Sequence, residues 1–175
     1  MTQPQTNRNS RAAMRLPALA AIAAAMALGA CSSIDCPVEN TVYTAYGLYK
    51  AAGVRDTLTD TLTVSTARSN RTDSILLNRS TNTSAFELPM SYTAPADTLV
   101  FTIADTLGRT VRDTLWIDKE NYPHFESVDC NISFFHYITG VRWAGHAIDS
   151  VAVNKQHVDY DASTEHFHIY LKARR

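Results

Sequence analysis

Helical periodicity is missing from most of this chain. After residue 30, no segment of ten or more residues keeps apolar side chains at a 3.6-residue spacing, which excludes bundles and folds built on amphipathic helices. No apolar run reaches the roughly 20 residues that a membrane-spanning helix needs. There is no Gly-rich phosphate loop and no G-x-S-x-G turn, so nucleotide and serine-hydrolase chemistry lack their usual signatures. Cysteine is scarce, three residues in 175. None has a partner at C-x-x-C spacing, which removes thioredoxin-like and zinc-ribbon readings. An excess of positive charge is missing too. The first 30 residues hold three of the 16 basic residues and none of the 17 acidic ones, so the remainder carries a formal charge of −4. That excludes the basic footprint that nucleic acid requires.

What is present begins with an address. Arg8, Arg11 and Arg15 precede an alanine-rich apolar stretch from Leu16 to Ala30. A basic front, a short apolar middle and small residues at the end describe a cleaved secretory leader. The stretch closes on Leu28-Gly29-Ala30-Cys31, which resembles the lipobox of bacterial lipoproteins. That resemblance implies diacylglyceration of the Cys31 thiol and cleavage before it. Each buried methylene contributes about 0.8 kcal/mol, so two or three acyl chains hold firmly where one does not. Ser32 and Ser33 follow, not aspartate, and the single nearby acid is Asp35. The expected location is therefore the outer membrane, lipid-anchored and facing the periplasm, with the cell surface as the alternative. The chain divides into a signal peptide over 1–30, a lipid-anchored linker over 31–40 and one β-domain over 41–175.

With Cys31 lipidated, Cys36 and Cys130 remain, and an oxidising compartment favours their pairing. Closing a loop of more than 90 residues stabilises by about 4 kcal/mol in the chain-entropy model.

Strand signals fill the rest. Residues 41–50 alternate, with Val42, Thr44, Tyr46 and Leu48 on one face and Tyr43, Ala45, Gly47 and Tyr49 on the other. Strands are expected over 60–66, 73–78 and 85–88, the last stopped by Pro89. Residues 98–104 and 110–117 form a hairpin whose turn uses Gly108. Further strands cover 134–139, 148–153 and 167–171. Many short strands at roughly ten-residue spacing indicate an all-β fold, a single antiparallel β-sandwich of immunoglobulin-like type.

Candidate chemistry is thin. His166 and His168 are two apart on a strand and would share a face; His136 or Asp161 would complete a metal set. Alternating histidine and aromatic residues on a last strand more commonly form a solvated face, so no metal and no cofactor are expected. Asp159 and Asp161 lie in a turn-like stretch without EF-hand spacing. The chain is read as no enzyme.

One tripeptide recurs: aspartate, then serine or threonine, then an aliphatic residue. It places Thr57, Thr61, Ser74, Thr98, Thr106, Thr114 and Ser150 in the same context. Aspartate ending a turn before a strand explains several copies. The tripeptide also resembles the O-glycosylation sequon of exported Bacteroidetes proteins, which makes these hydroxyls glycan candidates where exposed.

Ser33-Ile-Asp-Cys-Pro37, Gly47-Leu-Tyr-Lys50, Leu88-Pro-Met-Ser-Tyr92, His124-Phe-Glu-Ser-Val-Asp-Cys130 and Glu165-His-Phe-His-Ile-Tyr170 carry a wider resemblance. The chain resembles an uncharacterised envelope lipoprotein family of Bacteroidales gut bacteria, known by a domain-of-unknown-function label, family 6452. The resemblance implies an envelope location and no activity. The expected role is a non-catalytic binding or assembly module. Its partners are the membrane, through Cys31, and an envelope protein or glycan. The alternative is a small carbohydrate-binding module using Tyr43, Tyr49 and Trp143, since sugars stack on flat rings. A weaker alternative is an enzyme or metal-binding protein built on the His-rich last strand.

Overall fold

In the computed structural model, residues 36–37, 40–50, 52–66 and 73–172 are described, within one compact unit, Cys36–Arg175. Cys31 and the leader lie outside them. The described residues form ten strands and no helix: β1 (Tyr43–Tyr49), β2 (Thr61–Thr66), β3 (Ser74–Ser80), β4 (Ala85–Pro89), β5 (Ala96–Ala104), β6 (Thr110–His124), β7 (Ser133–Trp143), β8 (Ile148–Val153), β9 (His157–Val158) and β10 (Phe167–Leu171). One sheet has the order β4-β1-β10-β8 and the other β3-β2-β5-β6-β7-β9. Their inner faces enclose one core, so the fold is an all-β sandwich.

Alternation places the core. Val42, Tyr46 and Leu48 are buried from the first sheet, with Leu62, Val64, Leu99, Phe101, Leu115 and Ile117 facing them from the second. Tyr46 is stacked between Phe86 and Phe167, with ring centroids 5.0 Å apart in both pairs. Its hydroxyl accepts a hydrogen bond from Thr44 Oγ1 at 3.0 Å, and burial pushes its pKa up. The β5–β6 hairpin turns as expected. Gly108 has φ +79°, and Asp105 Oδ1 accepts the backbone N–H groups of Leu107 and Arg109 at 2.9 Å each.

The strictly antiparallel expectation is corrected. β1 pairs with β10 in parallel, Tyr46 opposite Phe167 through Tyr49 opposite Tyr170, while the other strand pairs are antiparallel. A parallel pair needs a long crossover, and here nearly the whole domain supplies it. β6 is longer than expected, continuing through Asp118-Lys-Glu-Asn-Tyr-Pro-His124. A register shift between Asp118 and Lys119 allows this. β5 stops opposite Asp118, so beyond it β6 is paired only with β7, and an edge tolerates the missing N–H of Pro123.

Candidate functional site

The two ends of β6 carry the features that could serve a partner. At its first end a cleft opens between the sheets, enclosing about 600 Å³, within the usual range of small-ligand sites. Leu58, Ile103, Val111, Ala147 and Leu171 give it an apolar lining, and Lys50, Asp56, Thr57, His146 and Lys172 a polar one. Lys50 Nζ lies 3.5 Å from Asp56 Oδ1, and Lys172 Nζ donates to the Gly145 carbonyl at 2.6 Å.

Asp113 builds the wall that carries His146 and Ala147. Alternation turns it inward, and its carboxylate is buried. Oδ2 accepts the N–H groups of Ala147 and Ile148 at 2.7 Å each, and Oδ1 those of Thr114 at 2.8 Å and Gly145 at 3.2 Å. Burial alone would raise its pKa. The backbone donors of Ile148, Ala147, Thr114 and His146 outweigh burial and hold it below the ordinary carboxylate value.

A second polar group clasps the opposite half of the sandwich. Lys119 has no exposed side-chain surface, and its Nζ reaches Asp97 Oδ2 at 3.1 Å and the Ala94 carbonyl at 3.0 Å. Asn121 Nδ2 donates to the carbonyls of Tyr92 and Ala94 at 3.2 and 2.9 Å. That leaves Asn121 Oδ1 as acceptor for His136 Nδ1 at 2.7 Å. Burial, helped by the Lys119 charge, lowers the His136 pKa to about 4. The four side chains fix the segment between β4 and β5.

At this second end, Cys130 forms a disulfide with Cys36. Also at this end, rings converge on Phe135, which is half-buried and packed against the core: His124 stacked at 4.1 Å, Tyr160 edge-on at 5.0 Å and Tyr122 edge-on at 6.3 Å. Sequence reading missed this cluster because Tyr122 and His124 sit on the unforeseen extension of β6.

The proposed sugar-stacking rings are engaged otherwise. The Tyr49 ring lies beneath the Arg55 guanidinium, whose Cζ is 4.7 Å from its centroid, and its hydroxyl donates to Glu165 Oε2 at 2.8 Å. That bond raises the Tyr49 pKa. Trp143 is packed against the core and donates from Nε1 to the Asp149 carbonyl at 3.1 Å. Tyr43 is half-buried on β1. Arg55 also pairs with Glu165, and His168 Nε2 lies 3.4 Å from the same carboxylate. A Cβ at Gly47 would overlap the Glu165 carboxylate and the Arg55 guanidinium, so a larger residue there would push these two side-chain ends aside.

His166 and His168 do not share a site. His166 precedes β10, is buried, and its Nδ1 accepts the Ala45 N–H at 3.0 Å. Burial lowers its pKa, with Lys155 adding to the effect. His168 sits against the Tyr49 ring at 4.4 Å, and His136 belongs to the other sheet. Asp159 and Asp161 cap their own turn, with Lys155 Nζ 3.6 Å from each carboxylate, so a lysine takes the place between them that a cation would need. Among the described residues, no three His, Cys, Asp or Glu side chains converge to hold a metal.

Of the candidate hydroxyl residues, Thr57 and Thr106 are exposed, on the cleft and on the β5–β6 turn. Thr61, Ser74, Thr98, Thr114 and Ser150 are half-buried on strands. In several copies the structural role of the tripeptide is plain: aspartate bonds to nearby backbone, and the aliphatic residue enters the core, as Leu58, Leu62, Leu99 and Leu115 do.

These features define a β-sandwich with an end cleft and a disulfide-closed opposite end. The chain belongs to DUF6452, a family of unknown function, whose profile matches residues 61–171. That match starts at β2 and ends with β10. No curated protein and no solved structure is similar enough to match.

Proposed function

We propose that the chain is an outer-membrane lipoprotein, held by acyl chains on Cys31 and facing the periplasm, that binds an envelope partner without performing chemistry on it. The observation that carries the binding role is the cleft at the first end of β6, with its apolar lining from Leu58, Ile103 and Val111 beside the charges of Lys50, Asp56 and Lys172. An apolar cavity with a few polar groups is the usual form of a ligand site. The membrane anchor rests on Leu28-Gly29-Ala30-Cys31 at the end of the leader. The immunoglobulin-like reading draws on the two packed sheets and on loops gathered at their ends.

A photoreactive residue at Val111, in the full-length protein expressed in its native membranes, should form an adduct on irradiation. The same residue at Ile75, exposed on β3, is the control. Equal labelling at both positions would remove the cleft as the binding site. Intact mass of the same preparation reports the rest: acyl chains at Cys31, and glycan at Thr57 or Thr106. A mass equal to the unmodified chain would end both readings.

A second reading, a carbohydrate-binding module, now draws on the rings around Phe135, not on Tyr43, Tyr49 or Trp143. Tyr160 is the exposed ring among them. Loss of glycan retention on Tyr160→Ala would support it.

A further inference from the structure

The loop between β6 and β7, residues 125–132, presents apolar side chains where a soluble loop tip is ordinarily polar. Val128 is 99 % exposed, Phe125 64 % and Ile132 45 %. Tyr160, also exposed, donates to Ser133 Oγ at 2.6 Å and so stands beside the end of this loop. Exposed apolar side chains gathered in one place mark a docking surface.

The covalent structure says what covers it. Cys130 lies in this loop, and its Cα is 5.4 Å from that of Cys36. Cys31 precedes Cys36 by five residues, a span of at most about 18 Å even when fully extended. Without the disulfide, the tether would run on to the start of β1 at Tyr43, about 40 Å of extended chain. The bridge therefore shortens the leash and attaches it to the loop that exposes Phe125, Val128 and Ile132.

We propose that the β6–β7 loop is a second membrane contact, seated in the interfacial layer of the bilayer that holds the Cys31 acyl chains. This rests on the lipid-anchor reading above. Confinement within a short tether gives a weak contact a high effective concentration, so a loop that would not bind a membrane from solution stays on it. The side chains suit a shallow seat. Phenylalanine and tyrosine favour the headgroup boundary. Glu126 turns back onto His124, with Oε1 2.9 Å from Nε2, and Asp129 remains at the level of the headgroups. The cleft, at the opposite end of β6, then faces away from the bilayer.

The test uses full-length lipidated protein in phosphatidylethanolamine–phosphatidylglycerol vesicles with brominated acyl chains. Val128→Trp is compared with Leu107→Trp, which places the reporter at the exposed β5–β6 turn, and the emission of the parent's own tryptophans is subtracted. Lipid bromine should quench the Val128→Trp signal at least twofold more than the Leu107→Trp signal. Equal quenching in protein that floats with the vesicles overturns the contact and leaves the anchor standing. A blue-shifted but unquenched Val128→Trp signal reports a protein chain over the loop and overturns it too. Protein that does not float overturns the contact together with the anchor.

Discussion

The two ends of β6 are fastened by different means. At the cleft, one buried carboxylate gathers the connection from β7 into β8 through the backbone N–H groups of Gly145, Ala147 and Ile148, and also accepts that of its neighbour Thr114. At the other end, the loop over residues 125–132 has sparse bonds of its own. Cys130 N–H reaches the Ser127 carbonyl at 3.2 Å and Asp129 N–H reaches Ser127 Oγ at 3.4 Å, and the covalent link to Cys36 adds the long-range constraint. The first arrangement fixes the position of each backbone atom and suits a surface that must keep a shape. The second fixes only where the loop is attached and leaves its apolar side chains outward, which suits a surface that meets something soft.

Removing the disulfide is the strongest way to break that contrast. The bridge spans 94 residues, and on the chain-entropy model opening it costs about 4 kcal/mol, with native-state effects able to reduce the figure. Denaturant titration of Cys36→Ser/Cys130→Ser against the parent should show a loss of about 3–4 kcal/mol. If the difference is under about 1 kcal/mol, the second end is held by its polar clasp and not by the bridge.

Sequence made the strands legible where alternation is regular. Residues 98–104, 110–117 and 167–171 all lie within observed strands, because side chains alternating between the two faces leave one solution for a half-buried sheet; residues 148–153 are a strand too, though their buried Ile148 and Val151 break the alternation. The extension of β6 was illegible for the converse reason: its inward residues are Lys119 and Asn121, whose partners Asp97, Ala94 and Tyr92 lie more than twenty residues away. β9 has two residues, too few for any period. The parallel β1–β10 pair joins the ends of the domain and leaves no local trace. Inward placement of Asp113 could be read from its spacing with Val111, Leu115 and Ile117, but not the backbone that it gathers. The cleft was invisible because Lys50, Val111, His146 and Lys172 are scattered along the chain and meet only in three dimensions. The His166–His168 pair misled because His166 lies just before β10 and is covered, so strand alternation does not govern it.

Asp113→Ala should give the next largest effect and act on the cleft end. It leaves up to four backbone donors short of a partner, and buried unpaired donors cost about 1–3 kcal/mol each where water cannot reach them. A net loss of about 3 kcal/mol is expected in denaturant titration. Native-state hydrogen exchange should show the amides of Ala147 and Ile148 opening while those of β6 beyond Asp118 stay protected. Uniform loss of protection across both ends would mean that the ends are not separately fastened.

Acid should sharpen the comparison by loosening the ends in turn, with the smallest expected effect coming first. The unfolded chain protonates His136 near pH 6.5, whereas the folded chain resists until about pH 4. Between those values the unfolded state binds more protons, so stability falls as pH drops from 6.5 towards 4 and changes no further below it on this account. Over the whole range from 6.5 to about 4 a shift of that size is worth at most about 3.4 kcal/mol. His166, lowered in the same direction, adds to the loss over the range between its two values. Asp113 has the opposite charge and a lowered pKa, so its contribution is complete above the ordinary carboxylate value and is lost only as pH falls through its depressed one. The Lys119–Asn121–His136 clasp should therefore soften before the cleft wall does. Replacing His136 by glutamine, whose amide can still donate to Asn121 Oδ1, should flatten the decline between pH 6.5 and 4.5 by about 2 kcal/mol. An unchanged slope in His136→Gln would place the acid sensitivity at His166 or elsewhere, and the two ends would no longer be distinguished by pH.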